Sequence, residues 1–423
     1  MKIEIINTGS ELILGHVLNT HQQWLCRELG NLGFRVERQT LVADASRAIQ
    51  QTVQESMARA DVILTTGGLG PTSDDMTRDL IAEMLGRKLI EDPAVLENIE
   101  KFFVTRHRTM TTRSRLQAQV PEGAQVIPNR HGTAPGLALE VDPNPFRPGG
   151  KKSLLIMLPG PPRELHPMFS DQVVPLLKKF SNVPEIFSSV VLKTTGLGES
   201  IVEEKISAPL NSFVERGLEI GYCARVGEVE VRLSAKGVDA STIVSDAEKQ
   251  VRDEIGAHIF GAGGDTLESV VVRLCREQKK TLALAESCTG GLIAHRITNV
   301  PGASEIFLHG VVSYSNEAKK KLLGVRGETL EKFGAVSQEV AAEMAQGARA
   351  GIGADFALAV TGIAGPTGGT ANKPVGTVFI ALAGGRQTLV QQHLNSYDRE
   401  TFKFVTSQQA LNLLREKLLE AGV

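Results

Sequence analysis

Three short apolar runs, each closed at its carboxyl end by glycines and hydroxyls, constrain this chain more than anything else in it. They are DVILT before TGGLGPTSDD, TLALA before ESCTGG, and FALAVT before GIAGPTGG. A bounded apolar run of this length fits a strand buried on both faces, as in a parallel sheet. Segments of helical spacing separate the runs, and strand–helix alternation implies right-handed crossovers and an α/β fold. In such sheets ligands sit beyond the carboxyl ends of the strands, where these loops fall.

The first third reads as a strand over Lys2–Asn7, the TGSELILG turn, and a helix with Thr20 near its cap. Strand Phe34–Ala43, helix Ala45–Arg59, strand Asp61–Thr65 and a helix over Met76–Leu85 follow. DPNPFRPGGKK, residues 142–152, reads as a surface excursion at a hairpin tip. Pro161–Phe180 is helical, and SNVPEIF resembles a linker. A small α+β module comes next: strand Ser188–Thr195, a helix from Gly198, strands Leu218–Ala224 and Glu228–Ala235, and helix Asp239–Ile255. IFGAGGDT, residues 259–266, is a glycine-rich joint into a second α/β region with strands Leu308–Tyr314, Val375–Leu382 and Arg386–Asn395 and a closing helix Arg399–Leu419.

The 423 residues suit about three domains at roughly 150 residues each. Lys and Arg total 46 against 48 Asp and Glu, so no global field recruits nucleic acid or an acidic membrane, and neither is an expected partner. Cys26, Cys223, Cys275 and Cys288 form no C-x-x-C pair, which fits a reducing compartment and no zinc knuckle. The N-terminus lacks the pattern of a signal peptide, and no apolar run reaches the roughly eighteen residues of a membrane span. A soluble cytoplasmic protein is expected.

Two stretches carry the chemistry. TGGLGPTSDD combines glycines that let backbone N–H groups meet a phosphate with a helix start. Asp74 and Asp75, with Glu11 from the first loop, suit a divalent metal; as helix-capping carboxylates they need no catalytic role. Ala285–Lys320 crowds serines, a cysteine, a tyrosine and lysines among glycines, groups that cost free energy to bury without partners.

TGSELILG, TTGGLGPTSDD, HGTAPG and LPGPPREL together resemble the N-terminal domain of the CinA family, which is similar to the molybdopterin-binding fold. AESCTGG, VVSYSNEAK, GAVS, TGIAGP and KPVGTV resemble that family's C-terminal domain. The resemblance implies an α/β molybdopterin-binding-like domain over 1–175, a KH-like α+β domain over 185–258 and an α/β deamidase domain over 265–423. GLGES, residues 196–200, is not the G-x-x-G loop with which KH domains grip RNA, so a spacer or dimer-forming role is expected of the middle domain.

For the N-terminal domain the resemblance implies ADP-ribose pyrophosphatase activity with a divalent metal near Asp74, Asp75 and Glu11, and the ligand on Gly67, Gly68 and Gly70. For the C-terminal domain it implies deamidation of nicotinamide mononucleotide without a cofactor, and for the whole a homodimer. No histidine occupies the C-terminal loops, so a serine–lysine arrangement is the natural candidate. Matched by position, Ser304 is the nucleophile, Lys319 the base, Thr361 part of the oxyanion region and Arg399 the phosphate anchor. Ser287, Thr289, Gly290, Tyr314 and Gly362 line the site. Cys288 is expected to be a small buried thiol. The chain departs from the family pattern at Thr367 and Tyr397. The rival expectation is a non-catalytic binding or scaffold protein tied to competence or DNA damage.

Overall fold

The computed structural model describes residues 1–181, 186–385 and 387–421. The centre of the expected SNVPEIF linker and the expected strand start at Arg386 lie outside the described residues. Two compact units divide the chain, Met1–Phe187 and Ser188–Val423.

In the first unit, strands β1 (Ile3–Thr8), β2 (Val36–Val42) and β3 (Val62–Thr66) are followed by a small antiparallel ladder of β4 (Leu89–Glu91) with β5 (Gln119–Pro121). Strands β6 (Gln125–Ile127), β7 (Gly136–Val141) and β8 (Ser153–Leu158) complete a sheet of order β2-β1-β3-β8-β7-β6. Strands β1, β2, β3 and β8 run parallel, β7 runs antiparallel to β8, and β6 antiparallel to β7. Every residue of β1, β3 and β8 is buried, as strands covered by helices on both faces must be. Alternation divides them between two cores: Ile3, Ile5, Val62 and Leu64 pack with helix Thr20–Asn31, while Ile6 and Ile63 pack with helix Ser46–Met57. The carboxyl ends of β1, β3 and β8 therefore deliver their loops to one edge.

The residue 142–152 segment is more than a surface excursion. Asn144 is fully buried, and its amide donates to Met57 O (2.8 Å) and Ser153 Oγ (2.9 Å). Arg147 and Lys151 both pair with Asp61 at 2.9 Å. Burial alone would raise Asp61, but hydrogen bonds from Lys151, Lys2 N–H and Arg147 outweigh it and hold the carboxyl down at about 2.

In the second unit, β9 (Phe187–Thr195), β10 (Glu219–Arg225), β11 (Glu228–Lys236) and β12 (Ile259–Ala262) form a sheet of order β10-β11-β9-β12. Helices Glu199–Glu215 and Ala240–Ile255 cover it through Val202, Ile206 and Leu210 against Val244, Ala247 and Val251. The expected glycine-rich joint is thus partly strand: Ile259 and Phe260 are buried, and β12 pairs antiparallel with β9.

Strands β13 (Leu282–Glu286), β14 (Phe307–Val312), β15 (Phe356–Gly362), β16 (Thr377–Gly384) and β17 (Gln387–Leu394) form the last sheet, in the order β14-β13-β15-β16-β17. The first three run parallel; β16 and β17 are antiparallel. Leucine, isoleucine and valine face helices Leu267–Glu277 and Arg399–Ala421 on one side. On the other side Ala283, Ala285, Ala357, Ala359, Ala381 and Ala383 admit helix Gln338–Ile352. Among the described residues no helix is long and apolar enough to cross a membrane.

Helix Gln338–Ile352 in turn seats helix Asn316–Leu323 through Gly347. A Cβ there would stand 1.8 Å from Leu323 O. Backbone cannot yield as a flexible side chain can, so Gly347→Ala is expected to lower unfolding free energy by about 1–3 kcal/mol. Urea unfolding measures this; an unchanged midpoint would mean the two helices do not approach so closely.

Candidate functional site

Ser287 follows β13 directly, and its N–H donates to Val360 O (3.0 Å), which pins it beside the end of β15. Glu286, buried at the strand end, accepts from the N–H groups of Gly291 (3.0 Å), Ile293 (3.1 Å) and Ala294 (2.8 Å). That carboxylate satisfies amides that a helix start leaves without partners and fixes the ESCTGG turn. One strand over, Ser315 caps helix Asn316–Leu323 by accepting from Ala318 N–H (3.1 Å). The cap sets the first turn so that Lys319 points back across the strand ends.

Lys319 is 1% exposed. Its Nζ donates to Ser287 Oγ (3.0 Å), Ser313 O (2.8 Å) and Tyr314 O (3.5 Å), with no carboxylate among its partners. Burial disfavours the ammonium and pulls its pKa below the usual lysine value, against a smaller opposing pull from Cys288. Burial pushes the Cys288 thiol up to about 12, so it remains protonated. The hydroxyls of Thr289 and Ser313 are buried without a hydrogen-bond partner.

Around this pair the structure gathers most of the expected residues. Arg399 donates to Tyr314 Oη (2.7 Å) and to Gly365 O (3.1 Å), joining the SYDR, YSNEAK and TGIAGP loops. Gly362 closes β15 beside Val378, and Gly290 lies 3.9 Å, measured from an added Cβ, from Lys403 Nζ. Thr361 is buried nearby, but its hydroxyl donates to Ala335 O (2.7 Å). Its proton is committed, so the expected oxyanion role is not what its side chain does here. Tyr397 is exposed, 54%.

Ser304 is not brought to the site. It lies in the short turn Ala303–Glu305 before β14, whereas Ser313 and Lys319 follow β14. Six residues of strand span about 20 Å. Ser304 is exposed at the opposite edge of the sheet, next to the Glu305–Arg276 ion pair. The expected pairing of Ser304 with Lys319 is thus replaced by Ser287 with Lys319. Ser313, whose carbonyl holds the lysine, is a site residue that the sequence did not single out.

In the first unit, all four expected motifs line one cavity of about 370 Å³ at the carboxyl ends of β1, β3 and β8. Gly67, Gly68, Gly70, Asp74, Asp75 and Glu11 all belong to its wall. Gly67 and Gly68 take left-handed φ values of 96° and 66°, and an added Cβ would strike Thr8 and Thr77, so the loop requires glycine at both. Asp75 accepts from Thr72 N–H (2.9 Å) and from the Thr72 hydroxyl, a turn-closing role. Hydrogen bonding to Thr72 lowers the pKa of the exposed Asp74. The expected metal set does not converge: among the described residues no three His, Cys, Asp or Glu side chains stand close enough to share an ion.

The chain is a three-part α/β protein: residues 4–179 match a probable molybdopterin binding domain, 189–261 the damage-inducible protein CinA KH domain, and 264–418 the CinA C-terminal domain. It belongs to the CinA family. A CinA-like protein of Kosmotoga olearia is 43% identical over 99% of both chains. A putative competence-damage inducible protein of Moorella thermoacetica is 44% identical, again over 99% of both. Among solved structures, a competence-damaged protein (CinA) superfamily protein of Klebsiella pneumoniae is 36% identical over 36% of this chain and 96% of that chain, with a TM-score of 0.36.

The lowered Lys319 pKa carries a sign for stability. Between the lowered folded value and the ordinary 10.5, the unfolded chain binds more protons at this group than the folded one, so stability rises with pH across that window. Wild-type stability relative to Lys319→Met is therefore expected to rise with pH as the ordinary value of 10.5 is approached from below. A flat difference in urea midpoints over that range would contradict the shift.

Proposed function

We propose that the C-terminal domain hydrolyses the carboxamide of nicotinamide mononucleotide, with Ser287 as nucleophile and Lys319 as its base. One observation carries this reading: a buried lysine without a counter-ion, 3.0 Å from a serine hydroxyl at the carboxyl edge of a parallel sheet. Serine is a weak nucleophile unless an adjacent base takes its proton, and burial favours the neutral lysine that can do so.

Neutral Lys319 takes the Ser287 proton as Oγ bonds to the amide carbon. The C–N bond then breaks and the lysine passes the proton to the departing nitrogen, which leaves as ammonia. Water enters, gives a proton to Lys319 and attacks the acyl carbon; the ester bond to Ser287 breaks, Lys319 returns the proton to the hydroxyl, and the carboxylic acid leaves and ionises, its proton passing to the released ammonia. Amide and water are consumed, and ammonia and nicotinate mononucleotide are formed. Arg399 is exposed and uses one N–H of each terminal nitrogen on Gly365 O and Tyr314 Oη; its remaining donors, with Tyr314 beside it, suit the nucleotide's phosphate. No step calls for a cofactor.

A second reading concerns the first unit. The N–H groups of Gly68, Leu69 and Gly70 have no acceptor among the described residues and belong to the cavity wall, which favours a phosphate-bearing ligand such as ADP-ribose. The carboxylates there do not form a shared metal site, so no hydrolytic step is assigned to a metal.

Ammonia release from nicotinamide mononucleotide by the purified full chain is the test. Ser287→Ala and Lys319→Met are each expected to lower kcat/KM at least about a thousandfold. Ser304→Ala is expected to leave it about unchanged. Loss with Ser304→Ala and retention with Ser287→Ala would reverse the assignment, and no ammonia from the wild type would favour the binding-protein reading.

A further inference from the structure

Among the described residues that line the cavity of the first unit, Gln117 is the one whose buried side chain is left half satisfied. It sits in the single turn Leu116–Ala118, just before β5, and is 1% exposed. Its Nε2 donates to Leu69 O at 3.3 Å, in the glycine-rich loop forty-eight residues earlier. A carbonyl can only accept, so this bond decides which end of the amide faces Leu69. The other end, Oε1, is buried with no donor, and Gln117 lines the cavity. Buried polar atoms are nearly always paired, so an orphaned acceptor on a residue of the cavity wall marks a place where water or a ligand supplies the donor.

The rest of the wall narrows what that ligand is. Glu11, Asp44, Asp74, Asp75 and Glu164 line the same cavity, and no lysine, arginine or histidine does. Asp75 is occupied by Thr72, and Glu164 accepts from the Asn129 amide (2.8 Å). A bare anion would meet this wall unfavourably except at the Gly68–Gly70 amides. A ligand with hydroxyl or amino donors at one end and phosphate at the other matches both parts.

We propose that Gln117 is a ligand-reading residue that accepts a hydrogen bond, through Oε1, from a hydroxyl or amino group of a phosphorylated sugar or nucleotide in this cavity. The inference deepens the second reading above and rests on it for the ligand class. Gln117 touches no reacting bond; it selects donor-bearing ligands over plain phosphates, while its Nε2 holds the Leu69 backbone in place.

The experiment is calorimetric titration of the full chain, wild type and Gln117→Met, with ADP-ribose, ribose 5-phosphate and inorganic pyrophosphate, in the same Mg²⁺-containing buffer. Gln117→Met is expected to weaken ADP-ribose and ribose 5-phosphate by roughly fivefold to tenfold and to leave pyrophosphate within about twofold. Equal affinity for the sugar ligands in both proteins overturns the proposal. So does an equal loss for all three ligands, which would mean that the side chain only braces the loop. Ribose 5-phosphate binding that depends on Gln117, without ADP-ribose binding, would leave the inference standing and remove ADP-ribose as the ligand. Absence of binding by both sugar ligands overturns the inference. On the wild type alone, the ¹⁵N side-chain amide signal of Gln117 is expected to shift with ribose 5-phosphate and not with pyrophosphate; an unmoved signal counts against it even if the variant fails to fold.

Discussion

A lysine ammonium that has lost its water and gained no carboxylate is the constraint around which the C-terminal domain is arranged. Lys319 keeps only a serine hydroxyl and two backbone carbonyls as partners. Burying a charge in this way is costly, and the usual relief is a shift toward the neutral form. That shift needs a rigid surround, because a lysine with four methylenes would otherwise reach back to water. The alanine face of the sheet, the glycine contact at Leu323 and the Ser315 cap together leave its helix little room to move.

The two sites answer the same topological rule with different electrostatics. Each lies beyond the carboxyl ends of parallel strands, where glycine loops expose backbone amides. The C-terminal site adds the cations Arg399 and Lys403, with the desolvated amine of Lys319, on the elements that follow the strands. The N-terminal cavity is walled by carboxylates and one orphaned amide oxygen. A nucleotide amide with a phosphate suits the first; a donor-rich phosphorylated sugar suits the second.

Much of this was legible in the linear sequence. The apolar runs before TGGLGPTSDD, ESCTGG and GIAGPTGG became β3, β13 and β15 within a residue or two at each end. The motifs resembling the CinA family pointed to both loop clusters, and Lys319 is buried against Ser287 in the second of them. Ser304 did not follow. Both serines stand in turns next to strands, and only the direction of β14 places one at the site and the other at the far edge. The residue 142–152 excursion misled for a related reason: Pro and Gly mark a turn, but nothing local reveals that Asn144 plugs a gap by Met57 or that Arg147 meets Asp61.

Local chemistry therefore determined the α/β plan, the loops at the strand ends and the residue types available there, since strand alternation, helix spacing and glycine turns act over a few residues. Tertiary structure decided which of those residues work together. Ser287 and Lys319 are thirty-two positions apart, and Gln117 and Leu69 forty-eight. Burial and hydrogen bonding depend on neighbours in space, so the lowered lysine pKa, the inert thiol of Cys288 and the unpaired Gln117 oxygen exist only once the strands are side by side.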